Sequence, residues 1–195
     1  SAAHVALDSA KQSLIYTVSK QGTLVDNAYR ALLNTTLAAR AEVIYDPAVT
    51  LTVTGTYTGS TEGQYQIKLQ STGNVSYYYQ VSGLENYTGL LERGKTLPLG
   101  ERGLFITFGT AGTLSLLDAW VITIPNQLSS SYVTNYNAYQ SALQTQSSAL
   151  TDAAAAVAAS RPEWSCSNRA APVQRRGGAS FSWTRPWRAV SCSER

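Results

Sequence analysis

Residues 65–82 read YQIKLQSTGNVSYYYQVS, and this stretch decides the fold. Apolar and polar residues alternate on both sides of a Gly-Asn turn at 71–74, so each run points its apolar side chains to one face. Gly and Asn tolerate the positive φ that a tight hairpin requires. The pattern predicts two half-buried antiparallel strands. It places Tyr77 and Tyr79 on one face and Tyr78 on the other, where a sugar or a protein partner could stack on the Tyr78 ring.

The same period of two continues outward in both directions. Upstream, Leu51, Val53 and Tyr57 alternate with threonine-rich positions, and downstream, short strands are expected at 104–108 and 120–124. Prolines at 47 and 125 bound this region. Five to seven short strands predict an antiparallel β-sandwich or barrel-like domain over residues 47–126, within an α+β chain.

A segment with a seven-residue apolar repeat flanks the β region on each side. The repeat predicts helix from Val5 to about Glu42 within residues 1–46, and from Tyr132 to about Ala159 within residues 127–160. Gly22 leaves two alternatives open: one long helix bent there, or two helices joined there. The predicted seam residues are Leu7, Leu14, Val18, Val25, Ala28, Leu32 and Ala39 in the first segment and Tyr132, Tyr136, Tyr139, Leu143, Gln146, Leu150, Ala153 and Val157 in the second.

Seams of this kind need partner helices. The two helices could pair antiparallel with each other, or with the same helices of neighbouring subunits. Tyrosines at the first three seam positions of the second helix are too bulky for a tight two-stranded coil. We therefore expect a broader bundle, in a homo-oligomer.

Charged residues make up only 14% of the chain, against roughly a quarter in typical soluble proteins. Neutral polar side chains take their place, which is common in proteins that pack against copies of themselves. A secreted β-rich binding domain has the same composition and stays open as an alternative. No apolar run approaches the roughly 18 residues of a membrane span, and the start lacks a signal-peptide layout. Ser1-Ala2 is what remains after removal of an initiator Met, so we expect synthesis in a cytosol and no membrane partner.

The last 35 residues have a different composition. Residues 161–195 hold seven Arg against two Glu, while residues 1–160 hold eight Lys or Arg against ten Asp or Glu. No helical or strand period is visible there, so we expect an irregular basic tail. Its candidate anchors are Trp164, Trp183, Trp187, Arg175 and Arg176.

Three interpretations of the tail stay open. The tail could lie on a neighbouring subunit, with its tryptophans filling pockets. It could bind nucleic acid, since guanidinium groups neutralise phosphate and indoles stack on bases, although we do not count nucleic acid among the expected partners. It could also be non-native sequence, because GC-rich DNA read in the wrong frame encodes such peptides.

Groups for catalysis are scarce. The single histidine, His4, lies close to the first residue, and Cys166 and Cys192 alone do not complete a zinc site. These two cysteines could form a disulfide or remain free thiols, as is usual in a reducing cytosol. No phosphate-binding Gly loop or nucleophile elbow is present, and the acidic residues are scattered. We expect no enzymatic activity, no metal and no cofactor.

The β region resembles a small domain found in bacteriophage virion proteins and flagellar hook-associated proteins. The resemblance lies in Gly55-Thr56-Tyr57-Thr58-Gly59, in Tyr65-Gln66-Ile67-Lys68, in the Gly-led strand at 103–108 and in the Asp-x-Trp strand at 118–124. Leu117 stands where that family has Gly before the Asp. The resemblance covers residues 50–125 and reaches neither helix.

The resemblance implies a non-enzymatic structural subunit of a virion, with the β domain displayed and the helices making assembly contacts. The specific expectation is a capsid decoration or cement protein that could be a trimer. It would be found in the virion after assembly in the host cytoplasm, with the major capsid protein or another virion protein as partner. The alternative is a binding module of a tail fibre or bacterial surface appendage that holds a glycan or receptor through Tyr78 or Trp120. A third possibility is a structural protein that binds nucleic acid through its tail.

Overall fold

The computed structural model describes residues 2–42, 47–71 and 76–161, together with the backbone of 164–167 and 191–194. The chain divides into two compact units, residues 1–18 with 149–195 and residues 19–148. The elements in chain order are α1 Ala2–Leu33, β1 Ala39–Ala41, β2 Leu51–Gly55, β3 Gly63–Ser71, β4 Tyr77–Gly83, β5 Tyr87–Leu90, β6 Thr96–Pro98, β7 Leu104–Phe108, β8 Ala119–Ile124, α2 Tyr132–Ala159, β9 Trp164–Ser167 and β10 Ser191–Glu194.

The fold is α+β, with two antiparallel sheets in the unit formed by residues 19–148. One sheet has five strands in the order β1-β8-β3-β4-β5, and the other has three in the order β2-β7-β6. The central hairpin of the first sheet pairs Tyr65 with Gly83 and Ser71 with Tyr77, as the alternation in residues 65–82 predicts. The two sheets remain separate, so the alternative of a closed barrel is wrong for the described residues.

Both sheets contribute to one apolar core. On the five-stranded sheet the alternation buries Tyr65, Ile67 and Tyr79, and on the three-stranded sheet it buries Ile106 and Phe108. Fully burying one such side chain stabilises the fold by about 1.5–3 kcal/mol. The Phe108 ring on β7 lies edge-on to the Trp120 ring on β8, with 5.5 Å between their centroids.

The first helix ends earlier than the sequence predicts. It runs as one uninterrupted helix through Gly22 and stops at Leu33, so the expectation of helix to Glu42 is wrong. The amide N–H and side chain of Asn34 both donate to the Arg30 carbonyl, and the Thr35 hydroxyl donates to the Leu32 carbonyl at 2.6 Å. These bonds satisfy carbonyls that have no partner at a helix end. Ala39, predicted as a helical seam residue, lies in β1 and pairs with Ile122.

The tail contains two strands where an irregular segment was expected. Strands β9 and β10 pair antiparallel, and their register sets the backbone of Cys166 directly opposite Cys192. Such opposed positions in an antiparallel pair have the Cα separation that a disulfide needs, so the register leaves that alternative open. Trp164 lies in β9. The anchors Arg175, Arg176, Trp183 and Trp187 lie outside the described residues.

Candidate assembly surface

A stripe of partly buried residues runs along α1 at spacings of three or four residues. In the unit that contains residues 1–18, the stripe consists of Ala3, Leu7, Ala10, Leu14 and Thr17. In the unit that contains residues 19–148, it consists of Gln21, Val25, Ala28 and the buried Leu32. This spacing keeps one helical face turned toward a neighbour.

Helix α2 has a matching stripe. Its members within residues 19–148 are Tyr132, Asn135, Tyr139, Ala142, Leu143 and Gln146. Its members within residues 149–195 are Ala149, Leu150, Ala153, Val157 and Ser160, which directly follows the helix. The side chains of the two stripes are partly buried, as seam residues should be.

Two predicted seam residues lie beside the stripes. Val18 is 50% exposed and Tyr136 is also exposed, and the stripes pass instead through Thr17 and Asn135. The Tyr136 ring stacks on Tyr132, with centroids 5.9 Å apart. The other predicted positions in the two helices lie on the partly buried faces.

An exposed apolar strip borders the α1 stripe. We call it the α1 flank; it consists of Ile15 and Val18, three residues apart on one side of Leu14, both in the unit that contains residues 1–18. Ile15 is 62% exposed and Val18 is 50% exposed. The apolar surface of α1 is therefore wider than the stripe that is covered in the single chain.

One asparagine joins the end of α1 to the β domain, and another joins the start of α2 to the end of α1, all within residues 19–148. The Asn34 amide donates to the Tyr57 carbonyl at 3.0 Å, and the Tyr57 N–H donates to Asn34 Oδ1 at 2.7 Å. Asn135 donates to the Ala31 carbonyl and to the buried Thr35 hydroxyl, at 3.2 and 3.0 Å. We call these four residues with Tyr57 the junction.

Two further contacts belong to the same region. The Tyr29 ring of α1 lies 5.1 Å from the Tyr139 ring of α2, and Asn126 donates to the Thr36 carbonyl at 2.7 Å. Because Tyr29 meets Tyr139 while Ala31 meets Asn135, the two helical segments run antiparallel here. Sequence reasoning missed the junction. A signal was present, since Asn directly after the last apolar position is a common helix end.

A polar network fastens loops of the β domain together. The Tyr65 hydroxyl donates to Glu85 Oε2 at 2.6 Å, and the Glu101 N–H donates to Glu85 Oε1 at 2.9 Å. Arg102 donates to the Tyr57 hydroxyl at 3.0 Å. Burial raises the pKa of Tyr65 above its usual value of 10, and the hydrogen bond to Glu85 raises this pKa further.

The two aromatic residues predicted to bind a ligand lie on opposite faces of the sheet. Trp120 is 3% exposed and packs in the core, so it cannot offer its ring to a ligand from the outside. Tyr78 is partly buried on the outer face of β4, opposite Gln70 on β3 and Leu90 on β5. Tyr78 remains a candidate.

The described residues contain no group of three or more His, Cys, Asp or Glu side chains that could hold a metal ion. Among those same residues, neither helix combines the length and the apolar character needed to cross a membrane.

Comparison of the chain with protein-family models, with curated proteins and with solved structures finds no match.

Proposed function

We propose that this protein is a non-enzymatic structural subunit that assembles with copies of itself through its two long helices. In its most specific form, the proposal is a trimeric decoration or cement protein of a bacteriophage capsid. The β domain, a sandwich of the five- and three-stranded sheets, would be displayed, and the helices would make the contacts between subunits.

The α1 flank is the observation that carries this proposal. A single covered stripe would leave polar residues on either side, but next to that stripe lie the apolar Ile15, 62% exposed, and Val18, 50% exposed. Exposed apolar residues in contiguous strips mark interaction surfaces. A helix from a second copy is the partner that suits such a strip, because it offers the same apolar spacing.

Size and charge also favour assembly between copies. The 32 residues of α1 give a rod of about 48 Å, which is long enough to contribute to an obligate interface of more than about 2,000 Å². With only 14% charged residues, the chain places few like charges between copies. The junction would fix the position of the β domain relative to such an interface, since it hydrogen-bonds the end of α1 to the domain and the start of α2 to α1.

Sedimentation velocity over a wide concentration range tests the proposal. We expect the wild-type chain to form one defined oligomer, and the double variant Ile15→Ser/Val18→Ser to dissociate at concentrations where the wild type stays associated. Val5→Ser is the matched control, because Val5 is 70% exposed on a different side of α1. A wild-type chain that stays monomeric throughout, or a control that dissociates as readily as the double variant, would refute assembly through the flank.

The capsid assignment needs a separate test. Capsid, portal or tail genes beside the gene for this chain would support it, and co-sedimentation of the purified oligomer with the neighbouring capsid protein would test the contact directly. Flagellar genes in that position would redirect the proposal to a filament.

A further inference from the structure

The outer face of the five-stranded sheet carries a cleft whose residues the assembly proposal does not use. Strand β3 turns Lys68 and Gln70 to this face, and β4 turns Gln80 to it, directly opposite Lys68. The cleft holds about 240 Å³ and lies where these side chains meet the turn before β8. An open polar face is usual for an antiparallel sheet, but a cleft closed on one side by a rigid turn is not.

The turn Ser115–Asp118 forms that side. Asp118 donates its N–H to the Ser115 carbonyl at 3.0 Å, and Ser115 donates its N–H to Asp118 Oδ2 at 2.9 Å. The Leu117 N–H donates to the Ser115 hydroxyl at 3.2 Å. These bonds hold Leu116 and Leu117 exposed at the rim of the cleft, in a conformation fixed before any ligand arrives.

The polar groups of the cleft suit hydroxyls. Gln70 Nε2 donates to Gln80 Oε1 at 2.7 Å, which aligns the two amides and leaves the Gln70 carbonyl oxygen and the Gln80 NH₂ group for a ligand. An acceptor and a donor side by side match two neighbouring hydroxyls, each of which both donates and accepts.

The charges of the cleft favour a neutral ligand over an anion. Lys68 brings one positive charge, and Asp118, 6% exposed, brings one negative charge. Beyond the cleft, Arg40 on β1 and Glu42 just after it flank the same face with opposite charges. Among the residues that the structure describes around the cleft, the charges therefore balance, and these residues include no cluster of cations to hold phosphate or carboxylate groups.

We propose that this cleft binds one unit of a neutral hexose polysaccharide. Neighbouring ring hydroxyls bond to Gln70, Gln80 and Lys68, and the apolar C–H face of the ring packs on Leu117. The volume lies below the 300–1,000 Å³ of sites for drug-sized ligands and limits the cleft to a single unit. Tyr78, beside Gln70 on the next strand, offers its ring to the adjoining unit.

Affinity electrophoresis of the full chain in gels containing dextran, mannan, galactan or barley β-glucan tests this proposal. We expect retardation by at least one of these polymers. If the cleft binds the terminal sugar of the polysaccharide, free glucose, mannose or galactose should compete with the polymer. Retardation should persist at 0.5 M NaCl, because a neutral ligand is not screened by salt. Binding that is confined to polygalacturonate or single-stranded DNA, or that salt abolishes, would overturn the proposal, as would no retardation in any gel.

Variants then place the site. Gln80→Ala and Leu117→Ser should each weaken binding about three- to tenfold, the usual loss for one neutral hydrogen bond or one apolar contact. Gln64→Ala is the matched control, since Gln64 is exposed on the same face of β3 outside the cleft. Both cleft residues are exposed, so the variants should fold normally, as thermal melts will verify. Equal binding by wild type and both cleft variants would rule out this cleft.

Discussion

Asn34 pairs with the backbone of Tyr57 as a residue of a neighbouring strand would. Its side chain accepts from the Tyr57 N–H and donates to the Tyr57 carbonyl, and a third bond caps the Arg30 carbonyl at the end of α1. One amide therefore ends a helix and joins it to the β domain. An aliphatic residue at this position would keep the backbone bond to Arg30 but leave the Tyr57 N–H without its acceptor.

We expect Asn34→Ala to lower the free energy of unfolding by about 1–3 kcal/mol, since it leaves a partly buried N–H unpaired. Urea denaturation followed by circular dichroism measures the change. Asn137→Ala is the control, because Asn137 is exposed in the second turn of α2 and alanine favours helix. A loss no greater than that of the control would show that the junction contributes little.

At the scale of elements, long alternations were easier to predict than short ones. Strands β3, β4, β7 and β8 follow from the period of two, whereas β1, β5 and β6 hold only three or four residues and show no period of their own. The early end of α1 was missed because Ala, Leu and Arg continue beyond Asn34. There, hydrogen bonds of side chains to the backbone decide the boundary, and composition does not record them.

The spacing of the stripe residues along both helices was predicted correctly, but two residues were assigned to the wrong position. Spacings of three and four leave two choices at each step, and sequence reasoning chose the apolar Val18 and Tyr136 over the polar neighbours Thr17 and Asn135. Asn135 lies in the stripe because it bonds to the Ala31 carbonyl. Hydrogen bonds that place a polar residue on the buried face of a helix leave no periodic pattern in the sequence.

Gly22 offers a test of how continuous α1 is. Alanine there would meet no atom within 4 Å, so Gly22→Ala should raise the free energy of unfolding by up to about 1 kcal/mol through its higher helix propensity. The contrasting variant is Gly103→Ala, because Gly103 has φ +75° and its Cβ would lie 2.6 Å from the Thr56 carbonyl oxygen. Gly103→Ala should destabilise the fold. A destabilising Gly22→Ala would indicate a break in the helix at this residue.

At the scale of the whole molecule, the net charge is unevenly distributed and three tyrosines hold their protons tightly. Residues 161–195 hold seven Arg against two Glu, whereas residues 1–160 carry a slight excess of acidic residues, and burial raises the pKa of Tyr65, Tyr79 and Tyr29 above 10. Tyr79 donates its hydroxyl to the Pro98 carbonyl at 2.7 Å, a bond that needs the proton. The uneven distribution of charge can be predicted from the sequence. The raised pKa values cannot, because they depend on burial in the folded structure.

These tyrosines predict a loss of stability in alkali. Their contribution is complete below pH 10, the unfolded value, and falls as the pH rises above it, because the unfolded chain releases protons that the folded chain retains. Each such group adds a slope of about 1.4 kcal/mol per pH unit. Thermal melts from pH 8 to 11.5 measure the effect.

Tyr65→Phe provides the comparison. It should be less stable than wild type at pH 8, since Glu85 loses a hydrogen bond, but it should lose stability less steeply above pH 10. Parallel slopes for the two proteins would mean that Tyr65 does not retain its proton in the folded state.

The strand that follows α1 and the strand that precedes α2 are neighbours: β1 pairs with β8, Ala39 against Ile122. The polypeptide therefore departs from one helix and returns to the other through adjacent, oppositely directed strands. The ends of the β domain therefore lie side by side, so a loop that is remote from the junction can lengthen without a change in the distance between the end of α1 and the start of α2.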